Sequence, residues 1–421
     1  MAADVTRPSF PSDTHAETLA THLDPTGWRR PAWKAYEYLP RSADAFLRFG
    51  IRSILPFTNF RVPLCVLRGP VASGGSGTVA VAGAPGPAGY LARRFFTGDP
   101  EREFLGDVPS WRLAAELERL RDSVDLVIAR LDRVSATLFL GSAWVAVPEW
   151  VGGVMSVPDD PWQFAQQSKS MQNNLRRMQR AGFRPLVSHD EQDFHEFFDR
   201  MYVPFTRNRH GAQAVLANRA RMRRCFRQGG LLWALRDGVR VAGLLFRTRG
   251  RTLDVVVIGT ENGERGPIGD GVAIALDLFV LEHAKRLGCT LFDFGGSRSS
   301  PQDGVLLYKA RWGARVVESR TTFYDVCLSW NRLNEALLSF LAHTPLIFRQ
   351  ADGLAALWTI AGGSETVRAD ITASRSVLRS LRRLYLLGVP PDESLDLAYI
   401  ETVIIDPARQ PDWLPAAGRT R

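Results

Sequence analysis

Lysine is nearly absent from this chain of 421 residues. Lys34, Lys169, Lys285 and Lys309 are the only lysines, so 49 of the 53 basic residues are arginine. With abundant alanine, glycine and valine, that bias reads as GC-rich coding more than as a built polyanion site, and it makes each lysine worth inspecting. Cysteine is scarce too. Cys65, Cys225, Cys289 and Cys327 lie far apart with no CxxC pair, which excludes a zinc site or a disulfide framework and predicts buried thiols in a reducing compartment. No run of 18 or more apolar residues occurs, so no transmembrane helix is expected. The opening MAADVTRPSFPSDTHAE has neither a basic start nor an apolar run, and the expectation is a cytoplasmic protein without a secretory leader. The glycines of VASGGSG (71–77) are not followed by GK[ST], which predicts a flexible loop and not a phosphate loop.

What is present is ordinary globular material: 45% hydrophobic and 23% charged residues. At ~150 residues per domain the length allows two or three domains. The net charge of +9 suits an anionic partner such as a nucleotide, a phospholipid, a cell-wall precursor or RNA, and allows peripheral contact with a membrane. The basic residues are dispersed and no aromatic–basic RNA motif is seen.

The pattern predicts an N-terminal arm over 1–35 and a mixed α/β unit over 36–160. In that unit PLCVLRG, GTVAVAG, VDLVIARL and SATLFLG read as strands, and WRLAAELERL as a helix capped by Ser110. A second α/β unit is expected over 161–330. It opens on the helix WQFAQQSKSMQNNLRRMQRAG, stopped at Gly182. The strand FRPLVS, the helix EQDFHEFFDRMY, a loop MYVPFTRNRHG and the basic helix ANRARMRRCFRQG follow. Asp237-Gly238 between alternating runs signals a hairpin. LDVVVIGT, the helix VAIALDLFVLEHAKRLG and the strand CTLFDFG then form a βαβ unit, for which a right-handed crossover is expected. Residues 331–421 are expected to be a helical extension with a disordered end.

Asp293-Phe294-Gly295 spells the magnesium triplet of protein kinases, but the glycine-rich strand loop, the strand lysine and the HRD loop are missing, so a kinase is excluded. The loop RGPIGDG (265–271) between a strand and a long helix frees backbone N–H groups suited to a pyrophosphate. The alternative is that Asp270 caps the helix and the glycines make a turn. In DFGGSRSSPQDGVLLYKARWGA (293–314), Asp293 ends a strand, a flexible Gly-Ser loop follows, and Tyr308 and Lys309 come back in a stretch suited to burial. A buried Asp–Lys pair there serves chemistry or merely fastens the sheet to its loop. Trp312 and Tyr324 look like packing residues, and His210 like an incidental loop histidine.

Together these stretches resemble the FemAB-like branch of the GNAT acyltransferase superfamily. The likeness covers roughly 110–320 and is clearest over 163–314, in SKSMQNNLRRMQRAG, MYVPFTRNRHG and FDFGGSRSSPQDGVLLYKARWGA. It implies an α/β (α+β) fold of two tandem GNAT-like subdomains, each a mixed twisted sheet flanked by helices, with a C-terminal helical tail. It further implies transfer of an acyl group to an amine, with no metal. Lys309 matches the lysine after the DFGG strand and loop, which in the family is placed to contact the donor or the anionic acceptor, and Asp293 the acidic strand end, and these two are the catalytic candidates. Arg176 and Arg177 match the basic helix and Tyr202, Arg209 and Gly211 the MYxP…RxG run. Arg176, Tyr202, Arg209, Ser297, Arg298 and Tyr308 are the substrate-binding candidates, although the adjacent Arg176 and Arg177 point about 100° apart on a helix and cannot share one face. Arg265, Gly269 and Gly271 correspond to the R/Q-x-x-G-x-G/A coenzyme A loop, one residue too long here and carrying Asp270 between its glycines. The long coiled-coil insertion of the aminoacyl-tRNA-dependent members is missing, which shifts the expectation to acyl-CoA as co-substrate. The implied acceptor is a small-molecule or lipid-linked amine of cell-envelope, polysaccharide or secondary-metabolite synthesis in a bacterium. A tRNA donor is the alternative, as is a non-catalytic binding module; no DNA partner is implied.

Overall fold

The computed structural model describes residues 61–405 apart from 84–86, 141–143, 168, 212–213, 215, 320–323, 361–364 and 389–396. The N-terminal arm expected over 1–35 and the tail from 406 lie outside the described residues.

Along the chain run β1 (Arg61–Pro70), β2 (Ser76–Ala82), α1 (Pro87–Phe95), β3 (Glu101–Pro109), α2 (Leu113–Arg121), β4 (Leu126–Asp132), β5 (Val145–Pro148) and β6 (Val151–Ser156). Next come α3 (Pro161–Gln167), α4 (Lys169–Ala181), β7 (Arg184–Ser188), α5 (Glu191–Glu196), α6 (Val203–His210), α7 (Arg219–Arg227), β8 (Gly229–Arg236), β9 (Val239–Arg249), β10 (Thr252–Thr260) and α8 (Val272–Arg286). Last are β11 (Leu291–Ser297), α9 (Gly304–Arg311), β12 (Arg315–Glu318), β13 (Tyr324–Ser329), α10 (Glu335–His343), β14 (Leu346–Gln350), β15 (Gly353–Ile360), α11 (Glu365–Ala373), β16 (Arg383–Gly388) and β17 (Glu401–Ile405). The α/β class is the one the patterns predict.

The chain divides into two compact units. One contains Val157–Phe292, where β7, β8, β9 and β10 form an antiparallel meander. Its β8–β9 turn puts Asp237 at φ 53° and Gly238 at φ 80°, the mirror-image turn that matches strand twist. Phe194, Phe197, Met201, Tyr202 and Trp233 make a core cluster on this sheet. The other unit holds the described residues within 34–156 and 293–421. It has a six-stranded mixed sheet in the order β3-β1-β2-β4-β13-β5, and a four-stranded sheet β14-β15-β16-β17. In it, too, β6 pairs antiparallel with β12 and lies beside β11.

Four local expectations change. SATLFLG is helical, not a strand: Asp132 ends β4 and accepts from Ser135 N at 2.9 Å and Ser135 Oγ at 2.6 Å, capping a helical turn at 133–135 that runs into a π turn at 136–140. MYVPFTRNRHG is helical as well, because Pro204 falls within the first two positions of α6, where its missing N–H costs nothing. Ser110 does not cap α2; it is buried and opens a 3₁₀ turn, and α2 begins without a side-chain cap. Of the helices expected beyond 331, the one in LNEALLSFLAHTPLIF is present as α10, while the run around 371–387 holds only the end of α11 and a helical turn at 375–378 before a strand; LIFRQ, GLAALWTI and RLYLLG are strands of a sheet. Short apolar runs fit a buried strand and a buried helix equally well.

All four cysteines are buried and unbridged. Among the described residues no helix is long and apolar enough to cross a membrane.

Candidate active site

Asp293 does not end its strand, because β11 runs on to Ser297; it shapes a bend within it. Its Oδ1 accepts from Gly295 N at 2.8 Å, a side-chain turn of the kind aspartate favours, and Gly295 takes φ 78°, open to glycine at little cost. Lys309, 5% exposed on α9, donates from Nζ to the carbonyls of Gly295 and Gly296, each at 2.8 Å. A Cβ on Gly153 of β6 would come within 3.2 Å of the Lys309 Cδ, so a glycine there makes room for the lysine stem. Asp293, Gly295, Gly296 and Lys309 are thus one arrangement. The aspartate and the lysine grip the same turn from its N–H and its carbonyl sides.

One residue on, Ser297 is 2% exposed and its Oγ has no hydrogen-bond partner among the described residues. A buried hydroxyl left unpaired costs about 1–3 kcal/mol, and such a group in a folded protein calls for an explanation. α9 starts at Asp303, whose Oδ1 accepts from Leu306 N at 2.9 Å. Burial pushes the Asp303 carboxyl above its usual range, against the Leu306 N–H and the Lys309 and Arg298 charges, which lower it. Asp303 was not singled out from sequence, although an aspartate just before an apolar run is a helix-start signal.

The loop between β11 and α9, expected to be flexible, is tied down instead. Ser299 Oγ donates to Pro148 O and Ser299 O accepts from Ile347 N. Gln302 Nε2 donates to Asp370 Oδ2 at 2.7 Å. The Arg298 guanidinium lies 3.5 Å from the Tyr90 ring centroid, a cation–π contact that occupies its flat face. Tyr308 is half-buried on α9. Trp312 is fully buried, 6.3 Å from the Phe294 ring.

The other expected residues lie in the unit of the meander. Arg265 is exposed and donates to Asn208 O at 3.3 Å, beside the exposed Arg209 at the end of α6. Arg265 and Arg209 are therefore neighbours. A Cβ on Gly269 would meet nothing within 4 Å, whereas one on Gly271 would fall 2.9 Å from Asn174 O, and Gly271 has φ 89°. Gly271 is explained by the close approach of α4 alone. Asp270 does not cap α8; its carboxylate pairs with Arg236 at 2.8 Å. Tyr202 is core, and its hydroxyl accepts from Ala217 N at 2.6 Å. Arg176 and Arg177 are both exposed on α4.

Sequence reading missed a partly buried ionic cluster. Arg133 pairs with Glu318 at 3.0 Å and Asp325 at 3.7 Å, and Arg349 with Asp325 at 2.8 Å and with Glu318. Burial raises the Asp325 carboxyl above its ordinary range despite the Arg349 and Arg133 charges. Burial also acts to raise Glu318, but Arg349 and Arg133 outweigh it and hold that carboxyl low. No sequence signal brings these four together, because β12, β13 and β14 belong to three different sheets and meet only in the fold.

No family model and no curated protein sequence matches the chain. Solved structures similar to it include FemX. That likeness has a TM-score of 0.35 at 12% identity, over 65% of this chain and 90% of FemX. L-PGS from Bacillus licheniformis matches with a TM-score of 0.31 at 12% identity, over 72% of this chain and 95% of its own. A GCN5-related N-acetyltransferase from Sphaerobacter thermophilus matches with a TM-score of 0.30 at 14% identity, over 60% and 72%. Likeness at this level carries nothing about donor or acceptor. Among the described residues no group of His, Cys, Asp and Glu is placed to hold a metal ion.

Proposed function

We propose that the chain is an acyltransferase, moving an acyl group from acyl-CoA to an amine. The observation that carries the reading is the buried, unpartnered Ser297 hydroxyl beside the turn that Lys309 grips. Acyl transfer from a thioester passes through an oxyanion, best stabilised by donors fixed in advance away from water. Ser297 Oγ supplies a donor whose own need for a partner is met when a carbonyl oxygen arrives. Lys309 holds the turn and adds positive charge to it, and Asp293 is the positioning residue that sets the turn. The fastened loop keeps these groups in place without reorganisation at the moment of reaction.

For the donor, the exposed Arg265 supplies charge for a pyrophosphate, with Arg209 alongside, while the N–H groups of Gly269 and Gly271 are taken up by Arg265 O and Ile268 O. The acceptor amine belongs to cell-envelope, polysaccharide or secondary-metabolite chemistry, and a cytoplasmic location follows the same reading. An aminoacyl-tRNA donor is the alternative within the enzyme class. A non-catalytic binding module is favoured by two facts, the Asp270–Arg236 pair and a Gly271 that packing alone accounts for.

Thermal denaturation with increasing acetyl-CoA and longer acyl-CoAs tests the donor. A ligand at 100 times its Kd adds about 2.7 kcal/mol, enough to raise Tm visibly. A rise with at least one CoA ester, reduced by Arg265→Ala, is the expected result. No rise with any ester removes the CoA donor.

A further inference from the structure

In the unit of Val157–Phe292 several arginines have a carboxylate partner. Arg200 pairs with Glu261, Arg219 with Asp199, and Arg223 and Arg227 with Glu191. Likewise Arg236 pairs with Asp270, Arg240 with Asp193 and Glu196, and Arg247 and Arg249 with Asp254. Helix α4 is different. Its sequence, KSMQNNLRRMQRA, has no acidic residue. Met171, Leu175 and Met178 bury one side of it, and Arg176, Arg177 and Arg180 stand exposed on the other with no carboxylate partner among the described residues. Where α4 ends, Phe183 carries the Arg236 guanidinium 6.0 Å from its ring centroid. Arg236 in turn faces Val239 across the hairpin, and Val239 is 63% exposed. The unit thus carries both arginines without a carboxylate partner among the described residues and an exposed aliphatic side chain.

We infer that the outer face of α4 docks on an anionic lipid surface. Arg176 and Arg180 lie one turn apart and Arg177 about 100° round from Arg176, so the three guanidinium groups spread over the exposed half of α4, where they attract a sheet of phosphates. The apolar side chains that this unit leaves exposed, Leu186, Val239, Leu287 and Leu291, are all aliphatic. Binding of single-stranded nucleic acid draws on aromatic side chains for base stacking, and no large aromatic residue is exposed in the described part of this unit. The lipid surface fits both facts. The inference stands whether or not the chain transfers acyl groups.

The test is co-sedimentation of the full chain with vesicles of phosphatidylserine and phosphatidylcholine in equal parts, beside vesicles of phosphatidylcholine alone. The triple variant R176E/R177E/R180E is compared with R93E/R286E/R332E, which changes net charge equally at exposed arginines elsewhere. Thermal melting checks that both remain folded. The expected result is binding to the anionic vesicles only, weakened at least ~20-fold in the α4 variant and much less in the other. It should also weaken as salt is raised to about 0.5 M. Equal loss in both triple variants would assign the binding to net charge and overturn the inference. So would equal binding to both kinds of vesicle, no binding at all, or tighter binding to RNA than to anionic vesicles at the same phosphate concentration.

Discussion

Ser297 and Lys309 place opposite demands on their surroundings. The Ser297 hydroxyl is buried and unpaired among the described residues, so removing it relieves the fold. Ser297→Ala is expected to leave Tm unchanged or slightly higher in calorimetry, since an unsatisfied hydroxyl costs about 1–3 kcal/mol. Lys309 is the reverse case. Lys309→Met keeps the stem against Gly153 but strips two carbonyls of their donor, and denaturant unfolding should show a loss of about 2 kcal/mol or more. Gly271 allows a cleaner comparison of glycines. Gly271→Ala should destabilise by about 1–3 kcal/mol, because a side chain at φ 89° is strained and would also press on Asn174 O. Gly269→Ala should melt like the parent protein.

At the scale of elements, the cluster of Arg133, Arg349, Glu318 and Asp325 links β12, β13, β14 and the turn after β4. Glu318 is held below its ordinary pKa, so the fold favours its charged form. That contribution is present above the unfolded value of about 4.3 and fades as pH falls toward the folded value. Glu318→Gln should therefore cost stability at pH 7 and cost less near pH 3, read as the difference in denaturation midpoint at the two pH values. Asp325 runs the other way: its raised pKa makes its ionisation unfavourable to the fold as pH rises. How much was legible in sequence follows the range of the interactions. The Asp237-Gly238 hairpin, the α4 stop at Gly182 and the long α8 are local signals, and they read correctly. The 133–140 segment was read as a strand because its residue types suit one, while a single aspartate cap decided the matter. The β14–β17 sheet escaped because its short apolar runs suit a buried helix as well as a strand, even in the local β14–β15 hairpin, and the ionic cluster because its members come from separate sheets.

On the scale of the whole molecule, Lys309 stands out because lysine is so rare in the chain, and Asp293 through an expected strand end, although β11 runs on to Ser297. Ser297 was named only through resemblance; its lack of a partner is a three-dimensional fact. The anchoring of the β11–α9 loop was equally hidden, since Pro148, Ile347 and Asp370 lie far away in sequence. That anchoring gives the residues after 331 a part in holding the candidate site, through β14 and α11. The measurement that bears most directly on acyl transfer is release of free coenzyme A thiol. Acyl-CoAs are incubated with a panel of amines, for the parent protein and for Ser297→Ala. The account predicts thiol release that needs an amine and falls about 10²-fold in the variant, with its Tm undiminished. An equally active Ser297→Ala, or no release from any acyl-CoA by a parent protein whose Tm those esters raise, would contradict it.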